Sequence, residues 1–183
     1  YFDKKAYLAQ SPQFYKQMGI ASGFERVFMA GPVFRAELFF TTRHLTEFTG
    51  WDFEIGFVES HHDVMDQEEG MIEEGFKSVK AGFPDLNIEI PLRPFPRLKI
   101  VEAKKMLAEA GVESSEDHDL SPEEEREISK IVREKFNHDF VFITDYHKSK
   151  SAFYHMRTTE DPDRSRRADL LYRGIEVTTL AQR

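Results

Sequence analysis

At 183 residues, with 40% hydrophobic, 32% charged and 17 Phe residues, the chain is long enough to bury a core and too apolar to be disordered. A net charge of −8 excludes a general nucleic-acid coat and leaves room for a local basic site for a polyanion. With no cysteine, disulfides, thiolate catalysis and Cys-type zinc sites are excluded together.

No run reaches the roughly 18 apolar residues of a membrane helix. No signal peptide opens the chain. These features fit a cytoplasmic protein. The chain begins without Met, at Tyr1-Phe2, and stops in the apolar, β-like "LLYRGIEVTTLAQR". Both ends read as cut from something longer.

In chain order, "AYLAQSPQFYKQ", Ala6 to Gln17, comes first. It packs two glutamines, a proline, a tyrosine and a lysine between short apolar steps. Gln13 and Lys16 stand one helical turn apart and can face one ligand. "ERVFMAGPVFR", Glu25–Arg35, reads as strand, kink at Gly31-Pro32, strand. Ala36–His44 is a polar connection, and "FTGWDFEIGF", Phe48–Phe57, is a returning strand. Together they predict an antiparallel hairpin around a long loop.

Val64, Ile72, Phe76 and Val79 fall near helical spacing, which predicts an amphipathic helix over Asp63–Val79. His61-His62-Asp63 reads as its N-terminal cap rather than as a metal site. "RPFP", Arg93–Pro96, is a breaker. A second helix is predicted over about Ile100–Ala110, ending at Gly111. A third starts at Ser121-Pro122, with Glu124 closing a capping box, and runs to about Phe136. Three strand candidates follow: "DFVFITDY", "AFYHM" and "DLLYRGIEVTT". "DPDRSRR", Asp161–Arg167, reads as a flexible loop. Its RSRR run could touch nucleic-acid phosphate but is more simply a solvated surface. The fold class predicted is α+β with a largely antiparallel sheet.

The densest polar segment is "FRAELFFTTRHLTEF". Arg35 and Glu37 leave one strand at period two, Arg43 and His44 lie in the loop, and Phe48, Asp52 and Glu54 return on the second strand. Guanidinium binds phosphate oxygens bidentately, and an aromatic neighbour can stack a base. A nucleotide site is one reading; a charged surface hairpin is the other.

"FRAE…TTRHLTEF…D.E" resembles motif 2 of the class II aminoacyl-tRNA synthetases. With "LAQSPQFYKQ" and the late "GIEVTT..QR", the whole chain resembles aspartyl-tRNA synthetases of the archaeal/eukaryotic type. The resemblance implies part of a class II synthetase catalytic core, a mainly antiparallel sheet flanked by helices. It implies ATP-dependent activation of L-aspartate to the adenylate, then transfer to tRNA-Asp, with tRNA-Asn left open as a second acceptor. Ser11, Gln13, Lys16, Asp52 and Arg183 would hold aspartate. Lys16 and Arg183 would clamp its side-chain carboxylate, and Asp52 would meet its ammonium or brace Lys16. Arg35 would hold the α-phosphate of ATP as the catalytic guanidinium, and Glu37 would meet the adenine amino group. Phe48 would stack on the ring, Arg43 and His44 would meet the outer phosphates, and Glu176 and Thr179 would take Mg²⁺. These cationic groups are expected to line one cavity.

The chain departs from the family pattern at Thr179-Leu180-Ala181, where Ser-Gly-Gly is usual, and Leu180 adds bulk there. Motifs 1 and 3 and the anticodon-binding OB domain are expected to lie outside residues 1–183. The isolated piece is therefore expected to be inactive, and the full-length protein to be a homodimer. Two alternatives are an asparagine synthetase built on the same core and a non-catalytic paralogue acting as a binding module.

Overall fold

A computed structural model describes residues 2–37, 45–114 and 116–183. The chain divides into two compact units, Tyr1–Val58 and Glu59–Arg183.

In the first unit, α1 (Gln13–Ala21) precedes β1 (Arg26–Phe34) and β2 (Glu47–Ile55). The strands form the expected antiparallel hairpin, paired from Arg26 opposite Ile55 to Phe34 opposite Glu47. Gly31-Pro32 does not break β1, contrary to the sequence reading. The Phe34 N–H points to the outer edge, donating to Ala9 O at 2.9 Å. The Pro32 nitrogen, two residues earlier, faces that same edge, so its missing donor costs the β1–β2 ladder nothing. Gly19 sits where α1 crosses β1. A Cβ there would fall 2.8 Å from Val27 Cγ2, so glycine permits the close approach.

The second unit is a four-stranded sheet with helices on both faces. It comprises α2 (His61–Gly82), β3 (Arg97–Lys99), α3 (Ile100–Glu109), α4 (Pro122–Phe136), β4 (Phe140–Thr144), β5 (Arg167–Tyr172) and β6 (Ile175–Ala181). Strand order is β3-β4-β5-β6, with β3–β4 parallel and the other pairs antiparallel. Central β4, FVFIT, is buried throughout, which is why it reads as an unbroken apolar run. Its alternation still decides the packing. Phe140 and Phe142 join Met65, Phe95, Ala168, Leu170 and Leu180 in one cluster, against which α2's Val64, Ile72 and Phe76 pack. Val141 and Ile143 join Ala103, Leu107, Ile128 and Val132 of α3 and α4 in the other.

The helix starts follow their chemistry. Ser121 Oγ accepts from the Glu124 N–H at 3.3 Å, and Glu124 Oε2 accepts from the Ser121 N–H at 2.8 Å. Pro122 stands at the first helical position, and Asn137 closes α4 in the left-handed region at φ 52°. In α2 the cap is Ser60 rather than a histidine. Asp63 Oδ2 accepts from the Ser60 and Glu59 N–H groups at 3.0 and 2.8 Å. His61 is buried, and burial pushes its pKa down to about 4.

Three further readings are corrected. "AFYHM" is not a strand; an isolated bridge pairs Arg157 with Ser165. "DLLYRGIEVTT" is two strands joined at Arg173-Gly174, with φ of 50° and 86°. A Cβ on Gly174 would sit 2.8 Å from Arg126 Cα, so both the turn and the contact require glycine. The RSRR run is anchored rather than loose. Ser165 is buried, and Arg166 donates to Glu59 O at 3.0 Å and Gln182 Oε1 at 2.8 Å. Arg167 donates to Lys150 O at 2.9 Å.

Glu68 on α2 is 1% exposed. Thr178 Oγ1 donates to its Oε1, while Oε2 is buried with no hydrogen-bond partner among the described residues. Burial, with Glu69 adding to it, pushes its pKa from 4.5 up to about 7. The folded state therefore holds a proton that the unfolded chain releases from pH 4.5 upward. Stability falls as pH rises through that window, by about 3 kcal/mol at most, and levels off above pH 7. Glu68→Gln is expected to raise the unfolding midpoint at pH 8 and leave it nearly unchanged at pH 4.5. Unfolding scans of both proteins across that range check this; equal curves at pH 8 would contradict it.

Candidate functional site

In the first unit, β2 places Phe48, Gly50, Asp52 and Glu54 on one face at period two. Across the ladder stand Val33, Gly31, Met29 and Val27. The α1 helix lies beside this face and turns Lys16 into it, leaving that residue 4% exposed. Its Nζ donates to Asp52 Oδ1 at 3.1 Å and Phe53 O at 3.4 Å, and lies 3.6 Å from Glu54 Oε2. One turn earlier, Gln13 Nε2 donates to Glu54 Oε2 at 3.1 Å. Ser11 Oγ accepts from the Gln13 N–H at 3.4 Å, at the start of the helix. A buried ammonium thus faces two carboxylates, which offsets its desolvation.

Arg35 extends the same strand face. Its backbone N–H donates to Thr46 O at 2.9 Å, and its guanidinium lies 5.4 Å from the Phe48 ring centroid. Glu37 is half-buried, its N–H donating to Arg35 O at 3.1 Å. The first unit therefore brings together Gln13, Lys16 and Asp52 at one place, and Arg35 with Phe48 at another. Arg43 and His44 lie outside the described residues. Of the alternatives for Asp52, bracing Lys16 is the contact observed. Glu54 was missed as a site residue, although its period-two spacing from Asp52 was in the sequence.

In the second unit, exposed Glu176 and Thr179 come together on β6, with Thr179 Oγ1 donating to Glu176 Oε1 at 2.7 Å. Thr179 stands opposite Asp169 of β5. Asp169 is 3% exposed and accepts from Arg167 at 3.2 and 2.6 Å. Burial pushes its carboxyl up to about 6; Arg167 opposes the rise, Glu176 adds to it and Thr179 opposes it. The same carboxylate, after burial, raises Tyr146 beside it. Asp169 was missed because a buried strand carboxylate has no signal beyond its period-two spacing from Arg167. Leu180 turns the other way, into the cluster under α2, so its bulk does not reach the Glu176–Thr179 side. Arg183 lies over the Tyr154 ring at 4.6 Å.

The family of class II tRNA synthetases (D, K and N) matches residues 1–183. The chain belongs to that family. It is 42% identical to the aspartate–tRNA(Asp/Asn) ligase of Aeropyrum pernix, aligning over all of this chain and 43% of that protein. It is also 42% identical to the cytoplasmic aspartate–tRNA ligase of Homo sapiens, over all of this chain and 38% of that protein. The structure superposes on the aspartyl tRNA synthetase from Entamoeba histolytica with a TM-score of 0.88 and 40% identity, covering 97% of this chain and 38% of that one. The chain thus spans about two fifths of the length of the curated relatives it matches. The class II synthetase fold and the aspartyl-type resemblance read from the motifs are both supported.

Proposed function

We propose that this chain is part of the catalytic domain of an aspartate–tRNA ligase, which activates L-aspartate with ATP and transfers it to tRNA-Asp. The observation that carries this reading is the buried Lys16 ammonium, set between Asp52 and Glu54 beside Gln13. One cation next to two carboxylates is a charge template for an amino acid with an ammonium and a side-chain carboxylate. The substrate carboxylate pairs with Lys16, and its ammonium is drawn to the Asp52 side. An uncharged amide in place of that carboxylate would leave the lysine unmatched, which is the basis for rejecting asparagine. Arg183 keeps the role of second carboxylate clamp that the resemblance gives it. The asparagine synthetase alternative shares this aspartate chemistry and is separated by transfer to tRNA.

Arg35 supplies a preorganised guanidinium for the charge that grows on the α-phosphate as the aspartate carboxylate attacks and pyrophosphate leaves. Phe48 offers the face for adenine and Glu37 an acceptor for its amino group. Arg43 and His44 are assigned to the outer phosphates. No protein nucleophile is required.

The residues present fit Mg²⁺. Glu176 and Thr179 offer hard oxygen donors side by side on β6, with Asp169 opposite Thr179 on β5. Among the described residues no group of three or more His, Cys, Asp or Glu stands ready to cage a metal. That suits an ion that keeps waters and shares its ligands with phosphates. When bound it neutralises phosphate charge; Glu176 and Thr179 would hold it.

Among the described residues no helix is long and apolar enough to cross a membrane. We assign the protein to the cytoplasm, and the full-length protein to a homodimer. Whether tRNA-Asn is a second acceptor is a separate assay with that tRNA. The test of the function is ATP–pyrophosphate exchange by the full-length protein. Exchange that requires aspartate supports the ligase; its absence would leave the non-catalytic binding module.

A further inference from the structure

In the first unit, one oxygen of Glu54 on β2 serves two neighbours on α1. Oε2 accepts from Gln13 Nε2 at 3.1 Å and lies 3.6 Å from Lys16 Nζ. The second distance is too long for a hydrogen bond. Lys16 therefore spends two of its three ammonium hydrogens inside the protein, on Asp52 Oδ1 at 3.1 Å and Phe53 O at 3.4 Å, and keeps one for a ligand. The Glu54 side chain is 20% exposed and Gln13 is half-buried, so both remain within reach of a bound molecule.

A carboxylate only accepts, so it fixes which end of the amide meets it. Gln13 turns Nε2 to Glu54 and Oε1 away from it. Among the described residues nothing donates to that Oε1. An untethered glutamine would present its NH₂ end as readily as its oxygen, and an NH₂ group facing a substrate ammonium sets donor against donor. The hydrogen bond to Glu54 removes that orientation and leaves an acceptor one helical turn from the free hydrogen of Lys16.

We propose that Glu54 is a positioning residue for the amino-acid substrate, holding the Gln13 amide with Oε1 as an acceptor for the substrate ammonium. This rests on the aspartate reading above and adds a residue to it. Glu54 acts through Gln13, by accepting a hydrogen bond, and not by its charge. The benefit is preorganisation: the amide is ordered before the substrate arrives, so binding does not have to order it.

The test is exchange kinetics of the full-length protein and its Glu54→Leu and Glu54→Gln variants, with succinate as a competing probe. Succinate keeps both carboxylates of aspartate and lacks the ammonium. In Glu54→Leu the aspartate KM rises about three- to tenfold, the scale of ordering one freed side chain, while kcat stays within about twofold. Inhibition by succinate is not weakened. Glu54→Gln keeps an oxygen that accepts from Gln13 Nε2, so it recovers most of the affinity although its charge is gone. Gln13→Leu raises the aspartate KM at least as much as Glu54→Leu, and combining the two costs no more than Gln13→Leu alone. An unchanged aspartate KM in Glu54→Leu overturns the inference. So does a Glu54→Gln protein as weak as Glu54→Leu, which would make charge the agent. Equal weakening of succinate, or additive losses in the double variant, overturns it too. A wild-type protein inert toward aspartate would sink the ligase reading and this inference together. An active wild type with unaltered variants sinks this inference alone.

Discussion

Replacing Lys16 with methionine should lower kcat/KM for aspartate by about 10²–10³-fold, the 2–5 kcal/mol scale of removing one partner from a buried, hydrogen-bonded charge pair. The expectation rests on how the residue is held. Lys16 is 4% exposed, and its Nζ lies 3.1 Å from Asp52 Oδ1 and 3.6 Å from Glu54 Oε2. Methionine keeps the length and apolar stem and removes only the charge. The two carboxylates would then face the substrate carboxylate without an intervening cation, so repulsion adds to the lost attraction. Lys16→Arg should not rescue the loss, because a planar guanidinium does not fit where a compact ammonium is enclosed. Steady-state exchange with varied aspartate reads both variants. The ATP KM should move little, since no phosphate role falls to this residue. A Lys16→Met protein with wild-type aspartate kinetics would contradict the charge-template account.

The second large effect is expected at Arg35. Arg35→Ala should slow adenylate formation at least ~10²-fold, as for loss of one preorganised donor to a developing charge. Arg35 is exposed and lies over Phe48, 5.4 Å from the ring centroid, so the strand end and the aromatic face aim it without burying it. Removing it should leave folding almost unchanged, because exposed side chains contribute little to stability. The signature is therefore a fall in kcat with an intact unfolding curve. Single-turnover pyrophosphate release measures it, and normal release by Arg35→Ala would refute the assignment.

How much of this was readable in the sequence follows from physical range. The α4 start was legible because Ser121, Pro122 and Glu124 interact within four residues. The β1–β2 hairpin was legible because its apolar residues and its break are local. Pro32 misled, since whether a proline breaks a strand depends on which edge its nitrogen faces, and Ala9 settles that from 23 residues away. The three-residue β3, Arg97–Lys99, escaped notice because its pairing with Phe142–Thr144 is its only strand signal. The arginines of RSRR looked like a solvated loop because their partners Glu59, Gln182 and Lys150 come from elsewhere in the chain. In the site, Gln13, Lys16 and Asp52 were named from motifs. Glu54 was placed on the returning strand without a role, and Asp169 was not named, because each acts through a contact that only folding creates. Leu180 shows the same limit in reverse: its bulk was visible in the sequence, but the strand parity that turns it into the core was not.

The most direct measurement of the central claim is the ratio of exchange rates with aspartate and with asparagine, at matched concentrations, in the full-length protein. Because the Lys16 ammonium is buried between Asp52 and Glu54, aspartate should support exchange at least ~10²-fold faster, on the scale of leaving a buried charge unmatched. Comparable rates with the two amino acids, or a preference for asparagine, would contradict it.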